Sequence, residues 1–352
     1  MRKKVVVGMS GGVDSSVCAY LLKEQGYEVI GMTMQIWEKD MSSEGSCCGL
    51  SAVEDARRVC EMIDIPHYVV NFRQDFKTRV IDYFIDEYKN GKTPNPCIAC
   101  NRYVKWESML KKALMIGADY IATGHYASVI NIENRYQLKR SKSLKKDQTY
   151  ALYNLTQNQL EKTIMPLGDY TKEEIRQIAA KIGLLVANKP DSQEICFVPD
   201  DNYSKYIEDA TGEVAVEGSF VNKAGEVLGK HKGIINYTIG QRKGLGITFG
   251  KPVFVTKIDA TSNTVTLGDS EDLFATVIYA KDVNWMALAE FTEPFVAAAK
   301  IRYSHEPAEC LVEMESGLLK CTFVQAQRAP TPGQAIVLYD GDLVIGGGTI
   351  VD

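Results

Sequence analysis

The chain has no uninterrupted apolar run approaching 18 residues, which removes the sequence signature of a membrane-spanning helix. Its first residues, Met1-Arg2-Lys3-Lys4, pass straight into Val5-Val6-Val7 with no apolar leader, so a cytoplasmic protein with no membrane contact is expected. An excess of basic charge is also missing. Forty Lys and Arg stand against 45 Asp and Glu, a net charge of −5, so any hold on nucleic acid must come from local basic patches. There is no internal repeat and no low-complexity tract. What remains is an ordinary folded composition, 45% hydrophobic and 24% charged over 352 residues, with room for two or three domains. Nine cysteines without a leader point to reduced thiols rather than a disulfide framework.

The densest signal is the run Gly8-Met9-Ser10-Gly11-Gly12-Val13-Asp14-Ser15. Three β-branched residues precede it and an apolar helical period at Val17, Leu21 and Leu22 follows it, so it reads as strand, glycine turn and helix start. Paired glycines let the backbone bend and approach a ligand closely. Free N–H groups and the helix dipole favour an anion there. Asp14 would repel a phosphate in such a loop, a liability that a bound divalent cation turns to use. The run lacks both the lysine of a Walker loop and the third glycine of a dinucleotide fingerprint.

The first 200 residues alternate strand and helix. Strands are expected at Lys4–Gly8, Glu28–Gln35, His67–Asn71 and Tyr120–Gly124. Helices are expected at Asp14–Gln25, Ala52–Ile63, Asp75–Tyr88, Tyr103–Ile116 and Lys172–Ile182. This predicts an α/β N-terminal domain, a parallel sheet with helices on both faces, over residues 1–200. Ligands in such sheets bind beyond the carboxyl ends of the strands. A small mixed central domain is expected over 201–275, with a hairpin of Val253–Ile258 and Thr264–Leu267. Short strands and turns over 276–352 suggest a C-terminal all-β barrel.

Cysteine placement separates packing thiols from candidate reactive ones. Cys18 and Cys60 fall on apolar helical faces, and Cys310 and Cys321 lie in the β region. Cys47-Cys48 sits in a Ser/Gly-rich stretch. Cys97 and Cys100 form a C-x-x-C after the double-proline turn Thr93-Pro94-Asn95-Pro96, ahead of a helix, a setting that favours the thiolate. Cys196 lies in a polar, turn-rich segment without helical period.

The phosphate run resembles the SGGxDS loop of the ATP pyrophosphatase superfamily, whose members cleave ATP between the α and β phosphates. Taken with Pro94–Asn101, Ala122–Tyr126, Lys146–Tyr150, Asp191–Phe197 and Tyr237–Gly246, it resembles the tRNA-specific 2-thiouridylase family over nearly the whole chain. No glutaminase segment and no appended RNA-binding or rhodanese domain is evident. The resemblance implies ATP with Mg2+ as cosubstrate and a tRNA whose wobble uridine is thiolated at C2 through an adenylated intermediate. It also implies a persulfide donor such as a cysteine desulfurase or relay protein. Gly8, Met9, Ser10, Gly11, Gly12, Val13, Asp14 and Ser15 would hold the phosphates, and Met34 and Gly124 would frame the adenosine. Cys196 would carry the persulfide and Cys100 would assist release of sulfur, through a transient Cys100–Cys196 disulfide. Asn95, Pro96 and Cys97 match the segment facing the target base. His125, Asp147, Gln148, Thr149, Arg302, Tyr303 and Gln334 match tRNA contacts. Many relatives have Asp where this chain has Cys97.

That departure leaves two sulfur routes open. Cys196 can deliver a persulfide sulfur, or Cys97, Cys100 and Cys196 can hold a 4Fe–4S cluster with one open iron. Two other functions also stay open: a ligase adenylating a small molecule, and a tRNA-binding module without catalysis. For RNA contact the basic run Lys139-Arg140-Ser141-Lys142-Ser143-Leu144-Lys145-Lys146 is the strongest local patch.

Overall fold

A computed structural model describes residues 2–36, 50–187, 189, 195–198, 202–247 and 250–351. Cys47-Cys48 and residues 191–194 lie outside the described residues. The N-terminal part is a five-stranded parallel sheet in the order β3-β2-β1-β4-β7. Its strands are β1 (Lys4–Gly8), β2 (Glu28–Gln35), β3 (His67–Asn71), β4 (Tyr120–Thr123) and β7 (Thr163–Ile164). Val5, Val6 and Val7 are fully buried, as befits a central strand covered on both faces.

Alternation along β1 sorts the helices into two layers. Val5 and Val7 join a core with Val17 and Leu22 of the helix Val13–Glu24 and with Ile175 and Ala179 of the helix Lys172–Lys181. Val6 points the other way, into a core with Phe84, Val104, Trp106 and Met109. The helix bearing the C-x-x-C therefore lies on the opposite face from the helix that follows the glycine turn. Both come together at the carboxyl edge of the sheet, where the Gly8 backbone approaches the Met109 side chain.

The C-x-x-C helix begins earlier than its apolar period predicts. Pro96 occupies its first turn, and the Asn95 side chain caps it by accepting from the N–H groups of Cys97 and Ile98. The helix runs as Pro96–Ala99, a wide π-type stretch Cys100–Met109, then Leu110–Met115. The C-x-x-C is thus within the first turns of the helix and not ahead of it.

The central part is a four-stranded sheet, β10-β11-β8-β9, of β8 (Gly218–Val221), β9 (Val227–His231), β10 (Phe254–Asp259) and β11 (Thr264–Gly268). The expected hairpin is β10–β11, antiparallel. In the C-terminal part, β12 (Phe274–Trp285), β15 (Leu318–Arg328), β14 (Ala308–Glu315), β13 (Phe295–Lys300), β16 (Ala335–Asp340) and β17 (Leu343–Ile350) pair in that order. A β12–β17 pairing closes the barrel. One hairpin departs from the expected strand–helix alternation. β5 (Ala127–Ile132) and β6 (Arg135–Arg140) leave the N-terminal sheet and add to the barrel beside β17.

Candidate active site

The phosphate loop follows from its residue sizes. Gly11 has φ +70°, and a Cβ there would lie 2.3 Å from the Ala52 carbonyl oxygen, so the turn admits only glycine. Gly12 stands at the N-cap of the helix Val13–Glu24 with no side chain to bond the first-turn N–H groups. The hydroxyls of Ser15 and Ser16 instead donate back to the Gly12 carbonyl, at 3.1 and 2.8 Å. The Ser10 N–H donates to Ser15 Oγ at 3.2 Å. Met9 and Val13 bury their side chains in the core, so they present only backbone to a ligand.

Two further elements close on this loop. Gly124 follows β4 so tightly that a Cβ would lie 2.6 Å from the Ser15 nitrogen. Met34, half-buried, sits near the carboxyl end of β2, paired with Val70 of β3. The loop, Gly124 and Met34 thus share one sheet edge, as expected of a nucleotide site.

Asp14 is held by two side chains from outside the loop. Lys172 Nζ lies 2.8 Å from each Asp14 carboxylate oxygen, and the Tyr126 hydroxyl donates to Oδ1 at 2.8 Å. A buried lysine balances the carboxylate from outside the loop. Lys172 was not among the expected site residues. Its signal is a cation in the first turn of a helix whose capping box, Thr171 with Glu174, is otherwise acidic.

His125 packs its ring 5.6 Å from that of Trp106, and its Nδ1 lies 2.7 Å from Thr123 Oγ1. Burial first, and then the Lys105 charge, hold this imidazole well below its ordinary 6.5, so it is neutral at physiological pH. Gln148 brackets the next residue, accepting from the Tyr126 N–H at 2.9 Å and donating its own N–H to the Tyr126 carbonyl.

The candidate thiols occupy distinct surroundings. Cys97 is exposed, whereas Cys100 and Cys196 are half-buried against one apolar core. Phe197 anchors the Cys196 turn, with its ring 5.7, 5.2 and 5.4 Å from those of Phe76, Phe84 and Tyr206. Cys97 instead lies close enough to Tyr303 of the barrel to act on its phenol electrostatically. Among the described residues, no group of three His, Cys, Asp or Glu side chains is placed to hold a metal ion. The packing cysteines are buried as expected, and burial pushes the Cys60 thiol up to about 12.

The residues matched to tRNA contacts divide into two kinds. Asp147 and Thr149 turn inward: Asp147 accepts from the Ser141 N–H at 3.0 Å and from Thr149 Oγ1 at 2.6 Å, and burial raises its pKa. Arg302 bonds the carbonyls of Ile239 and Ala329 at 3.0 Å each, which ties the central sheet to the barrel. These three side chains hold the fold. Gln334 reaches across domains and donates to the Thr93 carbonyl at 2.7 Å, while the Thr93 N–H donates to Pro332. The barrel thereby grips the turn that carries half-buried Asn95, buried Pro96 and exposed Cys97. Tyr303 is 45% exposed beside that turn, and its ring is available for stacking. The basic run is partly committed: Lys142 pairs with Glu174 at 2.9 Å, whereas Lys139 and Lys145 are exposed.

A parallel-sheet domain with an anion-ready glycine loop, a thiol-bearing helix at the same edge and a barrel gripping its cap define a nucleotide-using enzyme of the group-transfer class. Three family models cover the chain: the tRNA methyl transferase HUP domain over residues 3–200, the tRNA methyl transferase PRC-barrel domain over 204–269, and the aminomethyltransferase beta-barrel domain over 275–350. The tRNA-specific 2-thiouridylase MnmA of Lachnoclostridium phytofermentans is 61% identical over 355 residues, 99% of each chain. That of Clostridium perfringens is 59% identical over 99% of this chain and 98% of its own. The chain belongs to the tRNA-specific 2-thiouridylase family. Among solved structures, the U34-tRNA thiolase NcsA from Methanococcus maripaludis with its [4Fe-4S] cluster is similar at 20% identity. It covers 59% of this chain and 67% of its own at a TM-score of 0.36, too low to carry an argument. Among the described residues, no helix is long and apolar enough to cross a membrane.

Proposed function

We propose that the chain replaces the C2 oxygen of the wobble uridine of tRNA with sulfur, at the expense of ATP, giving 2-thiouridine, AMP and pyrophosphate. The observation that carries this reading is the convergence at one sheet edge. A Cβ on Gly8 of the phosphate loop would meet Met109 at 3.5 Å and one on Gly124 would meet Ser15 at 2.6 Å, while the helix of Met109 also carries Cys97 and Cys100.

A carbonyl oxygen leaves poorly, so the first step transfers AMP from ATP to O2 of the uridine, and pyrophosphate departs. The glycine loop and the first turn of its helix hold the phosphates through backbone N–H groups. Magnesium arrives with ATP as part of the substrate. In the second step the terminal sulfur of a Cys196 persulfide forms the C2–S bond, and AMP leaves with the oxygen. Cys100 thiolate then attacks Cys196 Sγ and breaks the S–S bond, which leaves the sulfur on C2 and a Cys100–Cys196 disulfide. A dithiol reductant returns both thiols, and a persulfide donor reloads Cys196. This route uses Cys100 and Cys196 and asks nothing of Cys97.

Neutral His125, Gln148, Gln334 and Tyr303 are proposed to meet the tRNA, with exposed Lys139 and Lys145 supplying phosphate contacts. The test is whether pyrophosphate release from ATP depends on tRNA and matches 2-thiouridine one for one. Release without tRNA would favour a small-molecule ligase, and tRNA binding without release would favour a binding module.

A further inference from the structure

The run Gly8–Ser15 contains no lysine, yet a triphosphate needs positive charge near it. Lys172 reaches the loop but is engaged on both oxygens of Asp14. A second lysine arrives from outside. Lys189 Nζ donates to the Gly11 carbonyl at 3.1 Å and lies 2.8 Å from Asp55 Oδ2. Its backbone is fixed, since its N–H bonds the Val186 carbonyl at 3.0 Å and Arg176 bonds the Ala187 carbonyl at 3.2 Å.

The bond to Gly11 has a geometric consequence. In a trans peptide the carbonyl and the following N–H point in opposite directions. Holding the Gly11 carbonyl on Lys189 therefore turns the Gly12 N–H away from Lys189, at the N-cap where an anion would sit. A cation at the carbonyl end also polarises that peptide and strengthens its N–H as a donor.

We propose that Lys189 is a positioning residue of the pyrophosphate subsite. It holds the Gly11 carbonyl so that the Gly12 N–H is polarised and aimed at the β and γ phosphates, and Asp55 anchors the ammonium in that position. This rests on the nucleotide reading above and adds a residue to it. The role is specific to the outer phosphates, which gives the test its discrimination.

The experiment measures binding of ATP, inorganic pyrophosphate and AMP to the full chain by titration calorimetry, for the unsubstituted protein, Lys189→Ala and Lys189→Arg. Loss of a charge-assisted bond predicts about a tenfold or larger weakening of ATP and pyrophosphate for Lys189→Ala. AMP binding should be unchanged, and Lys189→Arg should recover most of the loss. Unchanged ATP affinity in Lys189→Ala, or equal weakening of all three ligands, would overturn the assignment. Failure of the unsubstituted protein to bind ATP or pyrophosphate would instead overturn the nucleotide reading, and this inference with it.

Discussion

Lys172 and Asp14 form a two-point ion pair across 158 residues of sequence, with the lysine amino group 2.8 Å from each carboxylate oxygen. The lysine side chain is 8% exposed and the aspartate 29%, so the pair joins the phosphate loop to the helix Lys172–Lys181 with the ammonium, more than the carboxylate, withdrawn from water. Asp14→Ala should abolish tRNA-dependent pyrophosphate release and also destabilise the fold by about 3 kcal/mol, because it strands a buried cation. Asp14→Ala with Lys172→Met should recover most of the stability and none of the release. Denaturant midpoints and a pyrophosphate assay on both variants check this, and full release in either contradicts it.

Histidine titration predicts acid sensitivity. His67, His125, His231 and His305 all have pKa values below their ordinary 6.5, with burial the largest cause in each. A histidine whose folded pKa is depressed takes up a proton on unfolding, so its contribution is present above about pH 6.5 and falls as pH drops through and below that value. Denaturant midpoints should decline from pH 7.5 to 5.5, with net proton uptake on unfolding. A flat profile would contradict the buried neutral rings.

The Gln334–Thr93 bond predicts an effect on tRNA use separate from nucleotide binding. Gln334→Ala loosens the grip on the turn presenting Asn95 and Cys97, at a cost of about 1 kcal/mol for the bond. Thiolation kcat/KM for tRNA should fall about fivefold while ATP affinity stays constant, measured by steady-state kinetics and calorimetry. Weakened ATP binding would place Gln334 elsewhere in the mechanism.

Within the basic run, ion pairing sets Lys142 apart from Lys139 and Lys145. Replacing Lys139 and Lys145 with Gln should lower the slope of log affinity for tRNA against log salt by about 1.5, at roughly 0.7 to 0.9 per phosphate contact. Lys142→Gln should change it less, since that ammonium is already paired with Glu174. Equal slopes in all variants would make the run ordinary solvated surface.

Local chemistry made much of this site legible. Val5-Val6-Val7 followed by glycines reads as a buried strand and a tight turn before a helix, and all three are there. The prolines misled on the helix start: Pro96 serves as a first-turn residue under an Asn95 cap, so the helix opens seven residues before Tyr103. Long-range pairing was beyond reach. β6 meets β17 through Lys139 and Leu343, and no local pattern announces a partner 204 residues away. The same holds for Lys172 and Lys189, whose meaning comes from tertiary position. Asp147 and Thr149 match the family's RNA-contact segment, and no local pattern announces the mutual hydrogen bond through which both are buried.

The central claim is that Cys196 delivers sulfur as a persulfide, with Cys100 freeing it and Cys97 dispensable. The direct measurement is 2-thiouridine formed in a single anaerobic turnover by iron-free Cys97→Asp protein, supplied with ATP, tRNA and a persulfide donor. Product near that of the unsubstituted protein, and none from Cys100→Ser or Cys196→Ser, is predicted. Product that forms only after iron–sulfur reconstitution would contradict the account.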